Sequence, residues 1–226
     1  MTNINSPLYN DNRNYDYSNT FSEEREEYKL ICEMVEPNSK VIDLGCGNGS
    51  LLERLIKDKN VTSEGIELSL SGFETCTKKG LKVIQGRIDE NLPFSDNSFD
   101  YSICNVTIQM VMYPEVLLRE MKRISKYQIV SFPNFAHYKN RLDLLLKGRM
   151  PRPMLFGYKW YSTGHIHQLS IKDFYELIDD VGEISVLKKE YLAGSSSFKK
   201  AIASLFPNIF VPIVILLLTS SHDSSN

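Results

Sequence analysis

The chain has 226 residues, 42% hydrophobic and 11% aromatic, enough apolar material for a sizeable core and too much for a chain disordered throughout. Twenty-six basic against 28 acidic residues leave a net charge of −2, which excludes the global positive field of a nucleic-acid binder. The four cysteines (Cys32, Cys46, Cys76, Cys104) are scattered and show no CxxC spacing, so the expectation is a reduced, cytoplasmic protein without a zinc or dithiol redox motif.

Residues 1–20 are rich in Asn, Asp, Ser and Tyr and carry no apolar period. They read as a flexible N-terminal arm without a secretory signal, and 21–222 as one domain. Ser22 followed by Glu23, Glu24, Glu26 and Glu27 predicts a capped helix start, with Leu30, Ile31, Met34 and Val35 as its apolar stripe. Strands are then predicted over 40–44, 62–68, 82–85, 99–106 and 127–132. Helices over 50–57, 70–79 and 114–124 separate them. That alternation means a parallel sheet with helices on both faces. The rhythm lapses over 133–167, which reads as an inserted cover or partner segment holding one helix, 138–147, carried by Leu142, Leu145 and Leu146. A helix over 170–181 follows, with Ser170 as N-cap and Asp173 at the capping-box position, and then a strand over 183–191. The uncharged run 201–221 approaches the length of a membrane span, but Pro207, Asn208 and Pro212 interrupt it. It is expected to be a buried closing strand, with no membrane insertion.

The informative stretch is Val41-Ile-Asp-Leu-Gly-Cys-Gly-Asn-Gly-Ser50. An apolar strand runs into Gly45, Gly47 and Gly49, and a helix opens at once, so backbone amides face whatever binds there. Asp43 precedes the first glycine by two residues, which suits a cationic or neutral polar group and not a pyrophosphate. Glu67 ends the next strand, where a carboxylate can accept both hydroxyls of a ribose.

Asp43-Leu-Gly-Cys-Gly-Asn-Gly49 resembles the first motif of class I S-adenosylmethionine-dependent methyltransferases, and Leu92-Pro-Phe-Ser-Asp-Asn-Ser-Phe-Asp-Tyr101 resembles their approach to strand four. The resemblance implies a Rossmann-like α/β fold: a seven-stranded, mostly parallel sheet with an antiparallel last strand, supplied here by the C-terminal apolar run. A narrower set is similar to the methionine biosynthesis protein MetW family: Gly65-Ile-Glu67, Val83-Ile-Gln-Gly86, Val130-Ser-Phe-Pro-Asn-Phe135, Lys147-Gly-Arg-Met-Pro151, Trp160-Tyr161 and Ile166-His167. The likeness implies S-adenosylmethionine as cofactor and S-adenosylhomocysteine as product, held by Asp43, Gly45, Cys46, Gly47, Asn48, Gly49, Glu67, Asp89 and Asn105. It also implies either methyl transfer to a small acceptor or a non-catalytic role as S-adenosylmethionine-binding regulator of a homoserine O-acyltransferase. One departure stands out: Arg87 occupies the place where the family has an Asp for the adenine amino group, with Asp89 as the nearest substitute. Taken alone, Arg87 reads as a solvated charge.

Methyl transfer from a sulfonium needs alignment more than dedicated catalytic groups. The candidates for the acceptor side are Asn105, Tyr158 and His167, with His167 either a general base or a structural histidine. Gln109 reads equally as a pocket residue or an exposed amide. Asn105-Val-Thr-Ile-Gln109 lacks the Asn/Asp-Pro-Pro-Tyr pattern of many amino-methylating enzymes. His165-x-His167 has no third ligand at metal spacing, so no metal is expected. A deep pocket beside the methyl position, lined by Asn105, Tyr158 and His167, would mark catalysis; an exposed apolar patch on 133–167 would mark a partner.

Overall fold

The computed structural model describes residues 25–151, 164–192 and 197–220, with the backbone alone at 197–200. The proposed cap Ser22, the candidates Tyr158 and Trp160, and the N-terminal arm lie outside the described residues. Seven strands form one sheet in the order β3-β2-β1-β4-β5-β7-β6. These are β1 (Lys40–Leu44), β2 (Thr62–Glu67), β3 (Val83–Gln85), β4 (Phe99–Asn105), β5 (Ser125–Pro133), β6 (Ile184–Leu192) and β7 (Ile213–Ser220). The first five pair in parallel, and β7 runs antiparallel to both β5 and β6. The expected topology is the observed one.

Strand alternation divides the core between the two faces. Val41, Tyr101, Ile103, Ile129 and Ile215 point to α1 (Glu26–Met34) and α2 (Ser50–Lys59). Ile42, Leu44, Cys104, Val130, Phe132, Val214, Leu216 and Leu218 point to α4 (Pro114–Ile124) and α6 (Ile171–Val181). The remaining helices are α3 (Leu70–Lys78), α5 (Tyr138–Lys147), α7 (Ser197–Leu205) and α8 (Pro207–Phe210). Ser170 accepts from the Asp173 amide, and the Asp173 carboxylate accepts from the Ser170 amide in return, completing the expected capping box of α6.

The run 201–221 is corrected in its first half. Ala201 to Leu205 closes α7, Pro207 opens α8, and the strand starts only at Ile213. Proline lacks an amide hydrogen, so Pro207 is tolerated at the start of a helix, and Pro212 falls just before the ladder of β7. The apolar tail of the run has a structural cause. β7 is paired on both edges and covered on both faces, so it reads as continuously hydrophobic, as interior strands do. No helix among the described residues is long and apolar enough to cross a membrane.

Candidate functional site

The site is built at the carboxyl ends of β1, β2 and β4, where this sheet order changes direction between β1 and β4. The turn after β1 is left-handed at all three glycines, with φ of +87° at Gly45, +56° at Gly47 and +76° at Gly49. At Gly45 the requirement is double. A Cβ there would also lie 2.6 Å from Thr107 Cγ2, because the loop after β4 packs directly on the turn. The turn hangs on β2 through the Gly45 and Cys46 amides, which donate to the Ile66 carbonyl at 2.8 and 3.1 Å.

Glu67 ties the loop to the next helix. Its Oε2 accepts from the Gly47 amide at 2.8 Å, and its Oε1 accepts from the Ser69 amide and hydroxyl at 2.8 and 2.7 Å. Ser69 Oγ in turn accepts from the Gly72 amide and caps α3. A Cβ on Gly72 would sit 2.8 Å from both Glu67 Cγ and the Gly47 carbonyl, so this close approach needs glycine too. Lys79 closes the outer edge, donating to the Asn48 carbonyl at 2.9 Å and to Glu53 at 2.6 Å. Asn48 Oδ1 accepts from the Ser50 amide at the start of α2. Ser69, Gly72, Lys79 and Thr107 were not singled out in the sequence. The Ser-x-x-Gly spacing at 69–72 is the one local signal among them; the others reach the loop from distant parts of the chain.

Asp43 is the chemically distinctive residue. It lies inside β1, between Gly65 of β2 and Ile103 of β4, and is 2% exposed. Burial, with the Glu67 charge adding to it, pushes its carboxyl up to about 7. Its Oδ1 is fully covered and accepts no hydrogen bond from any described group. A buried acceptor in that state costs about 1–3 kcal/mol unless a ligand or water supplies the donor. A ligand bearing an ammonium group would satisfy the Asp43 oxygen, and a ribose-like diol beside it would replace the Ser69 donors on Glu67. The residues present therefore fit S-adenosylmethionine. Beneath the loop, the Cys46 thiol is pushed well up by its hydrogen bond with Cys76 and by burial, so it stays a neutral packing group.

Arg87 is not a solvated charge. Its Nη2 pairs with Asp89 Oδ2 at 2.7 Å, and the same oxygen accepts from the Met112 and Tyr113 amides at 2.8 and 3.1 Å. Asp89 is thereby committed to holding the loop before α4. Only its Oδ1 remains for an adenine amino group.

On the other side of the turn, Asn105 Oδ1 accepts from Ser131 Oγ at 2.5 Å, so this side chain braces β4 against β5. Val106 follows with φ of +53°, a conformation that costs a β-branched residue of order 1–3 kcal/mol and clusters at functional sites. Gln109 is 2% exposed, which overturns the exposed-amide reading. Its Nε2 donates to the Val106 carbonyl at 3.1 Å and lies 3.5 Å from His165 Nε2, while its Oε1 is covered and accepts from no described group. Gln109, Pro133, Phe135, His165, His167 and Leu169 line a small cleft here. His167 donates its backbone amide to the Gln109 carbonyl, and its Nε2 lies 3.4 Å from the Met112 carbonyl. The structure thus brings Asp43, the glycine turn and Glu67 together in one place, and Gln109, His165 and His167 in an adjoining one. Among the described residues no group of three His, Cys, Asp or Glu side chains could hold a metal ion.

The family model for methionine biosynthesis protein MetW matches residues 25–218. The bifunctional methionine biosynthesis protein MetXA/MetW of Rhodopirellula baltica is 34% identical over 171 residues, 71% of this chain. The chain spans only 27% of that relative's length. Among solved structures, an S-adenosylmethionine-dependent methyltransferase from Aquifex aeolicus aligns with a TM-score of 0.56 at 18% identity, covering 86% of this chain and 89% of that one. Geranyl diphosphate C-methyltransferase from Streptomyces coelicolor, solved with S-adenosyl-L-homocysteine, aligns with a TM-score of 0.58 at 13% identity, over 85% and 80% of the two chains. These likenesses establish the fold.

Proposed function

The chain belongs to the methionine biosynthesis protein MetW family, and from that premise we propose that it binds S-adenosylmethionine at Asp43–Gly49 and Glu67 and directs its methyl group to a small-molecule acceptor. The observation that carries this reading is the buried, unsatisfied Asp43 Oδ1 beside Glu67 at the ends of adjacent strands. When bound, the cofactor would supply an electrophilic methyl group on a sulfonium. Asp43 would face the ammonium group. Glu67 would exchange its bonds to Ser69 for the ribose hydroxyls, and the glycine-turn amides would allow close approach. Gln109 Oε1, once its side chain turns toward the cleft it lines, would accept a hydrogen bond from the acceptor and hold it in line, since alignment is the main requirement of this chemistry.

Calorimetric titration with S-adenosylhomocysteine, with NAD as the control ligand, tests the cofactor. Binding of the first and not the second is expected; the reverse would remove the reading.

A second reading is favoured by the fusion of MetXA and MetW in the Rhodopirellula relative. In it the cofactor is a signal, and the chain acts as regulatory subunit of a homoserine O-acyltransferase. An exposed apolar patch on α5 supports that assembly, and the cleft at Gln109 is small. The two readings share the cofactor site and differ in whether methyl groups turn over. Incubation with methyl-labelled S-adenosylmethionine, with and without the acyltransferase, separates them: label leaving the cofactor favours transfer, and altered acyltransferase rate without label release favours the signal.

A further inference from the structure

Helix α5 is built inside out. Its buried positions are Asn140 and Asp143, while Leu142, Leu144, Leu145 and Leu146 are exposed, Leu145 and Leu146 by 78% and 77%. An amphipathic helix of a self-sufficient domain turns its leucines inward. Tyr138 at the start of α5, itself exposed, meets Phe210 of α8 with ring centroids 5.7 Å apart. Leu205 and Phe206, where α7 gives way to α8, are 74% and 57% exposed. Clustered exposure of this kind marks an interaction site, whereas single exposed leucines are ordinary.

The rim carries a sign. Between Pro133 and Pro151 the cations are Lys139, Arg141, Lys147 and Arg149, all on exposed residues, and the single acid is the buried Asp143, paired with Lys147. This segment is positive in a chain whose net charge is −2. The surface therefore has an apolar centre and a basic border. It fits a protein whose own apolar patch is bordered by carboxylates.

We propose that the outward leucine face of α5, with the Leu205–Phe206 corner, is the docking surface for the homoserine O-acyltransferase partner. The inference rests on the regulatory reading above, in which the two proteins work as one assembly. It adds where they meet. A second copy of this chain is a poorer occupant, because two basic rims would face each other. The face is carried by α5 and the α7–α8 corner, and Asp43 and Glu67 by β1 and β2, so docking and cofactor binding should be separable by substitution.

The test uses the full chain and the acyltransferase of the same organism, followed by calorimetry and sedimentation. The double variant Leu145→Glu/Leu146→Glu should weaken their association roughly 30-fold or more, the scale of central interface residues. Its affinity for S-adenosylhomocysteine should stay within about twofold of the parent, as expected for separate sites. The pair Leu145→Ser/Leu146→Ser keeps the test alive should the glutamates disturb the helix. Equal association by parent and variants would overturn the surface while leaving the partnership standing. Failure of the parent chain to bind the acyltransferase would overturn both. A parent dimer made monomeric by the variants would assign the face to self-association instead. Loss of binding to phosphatidylglycerol vesicles, with the acyltransferase unbound throughout, would assign it to a membrane surface. Either result contradicts the proposal.

Discussion

The turn after β1 and the segment after β5 sit at the same end of one sheet and follow opposite rules. In the first, every polar group is committed inward: three left-handed glycines, a carboxylate that holds two neighbouring loops, and a buried acid with one oxygen unused. In the second, α5 hides Asn140 and Asp143 and shows its leucines. In the first region the Asp43 Oδ1 is left buried without a donor. The second offers an apolar area that a small polar ligand would not cover. On the proposed readings one chain carries both a ligand site and a docking surface, and substitutions should separate them.

The largest effect is expected at the turn. Gly45→Ala places a side chain at φ of +87° and 2.6 Å from Thr107. Left-handed strain of about 1–2 kcal/mol and the displacement of Thr107 should together lower the melting temperature by about 5–15 °C. Thermal unfolding checks it; an unchanged midpoint would mean the turn is far more plastic than its packing implies.

Asp43 gives the pH signature. Its folded-state value near 7 lies above its ordinary one of 3.8, so the folded protein retains a proton that the unfolded chain releases. Its contribution to stability is therefore present at low pH and lost as pH rises from about 4 to about 7. An ammonium group beside it favours the carboxylate, so binding below about pH 7 should release a proton, and affinity should climb with pH up to that point and then level off. Asp43→Asn should flatten both profiles and weaken binding. Titrations at several pH values in buffers of different ionisation enthalpy measure the proton directly; pH-independent affinity in the parent would remove Asp43 from the site.

A smaller effect is expected at Ser69. Ser69→Ala removes the cap of α3 and one donor to Glu67, for about 1 kcal/mol of stability. Cofactor affinity should change little, because Glu67 keeps the Gly47 amide and gives up its bonds to Ser69 when the ribose binds. Chemical denaturation and calorimetry on the same sample distinguish the two quantities.

How much was legible in the sequence differs between the regions for a physical reason. The turn, the strand-end acids and the α6 capping box are encoded within a few residues, so spacing and local chemistry suffice. The parallel sheet follows from strand–helix alternation and the closing strand from family likeness, whereas the strand order is set by pairing between distant segments. The helix over 138–147 was legible from its leucines, but the direction in which they point was not: periodicity gives a face, not what covers it. Helices α7 and α8 were hidden inside an apolar run because Pro207 can open a helix as readily as it breaks a strand. The Arg87–Asp89 pair is local, but the roles of Asp89 and Gln109 depend on partners distant in sequence, the Met112–Tyr113 loop and His165, which no local pattern announces.

The central claim is that the cofactor is held at Asp43–Gly49 and Glu67, apart from the leucine face. It is tested most directly by titrating S-adenosylhomocysteine into Glu67→Ala and Leu145→Glu side by side. Loss of the carboxylate strands ribose hydroxyl donors and frees the Gly47 amide, so Glu67→Ala should weaken binding by about 1–3 kcal/mol, roughly 5- to 150-fold. Leu145→Glu should leave it within about twofold. Unchanged affinity in Glu67→Ala, or a large loss in Leu145→Glu, would contradict the account.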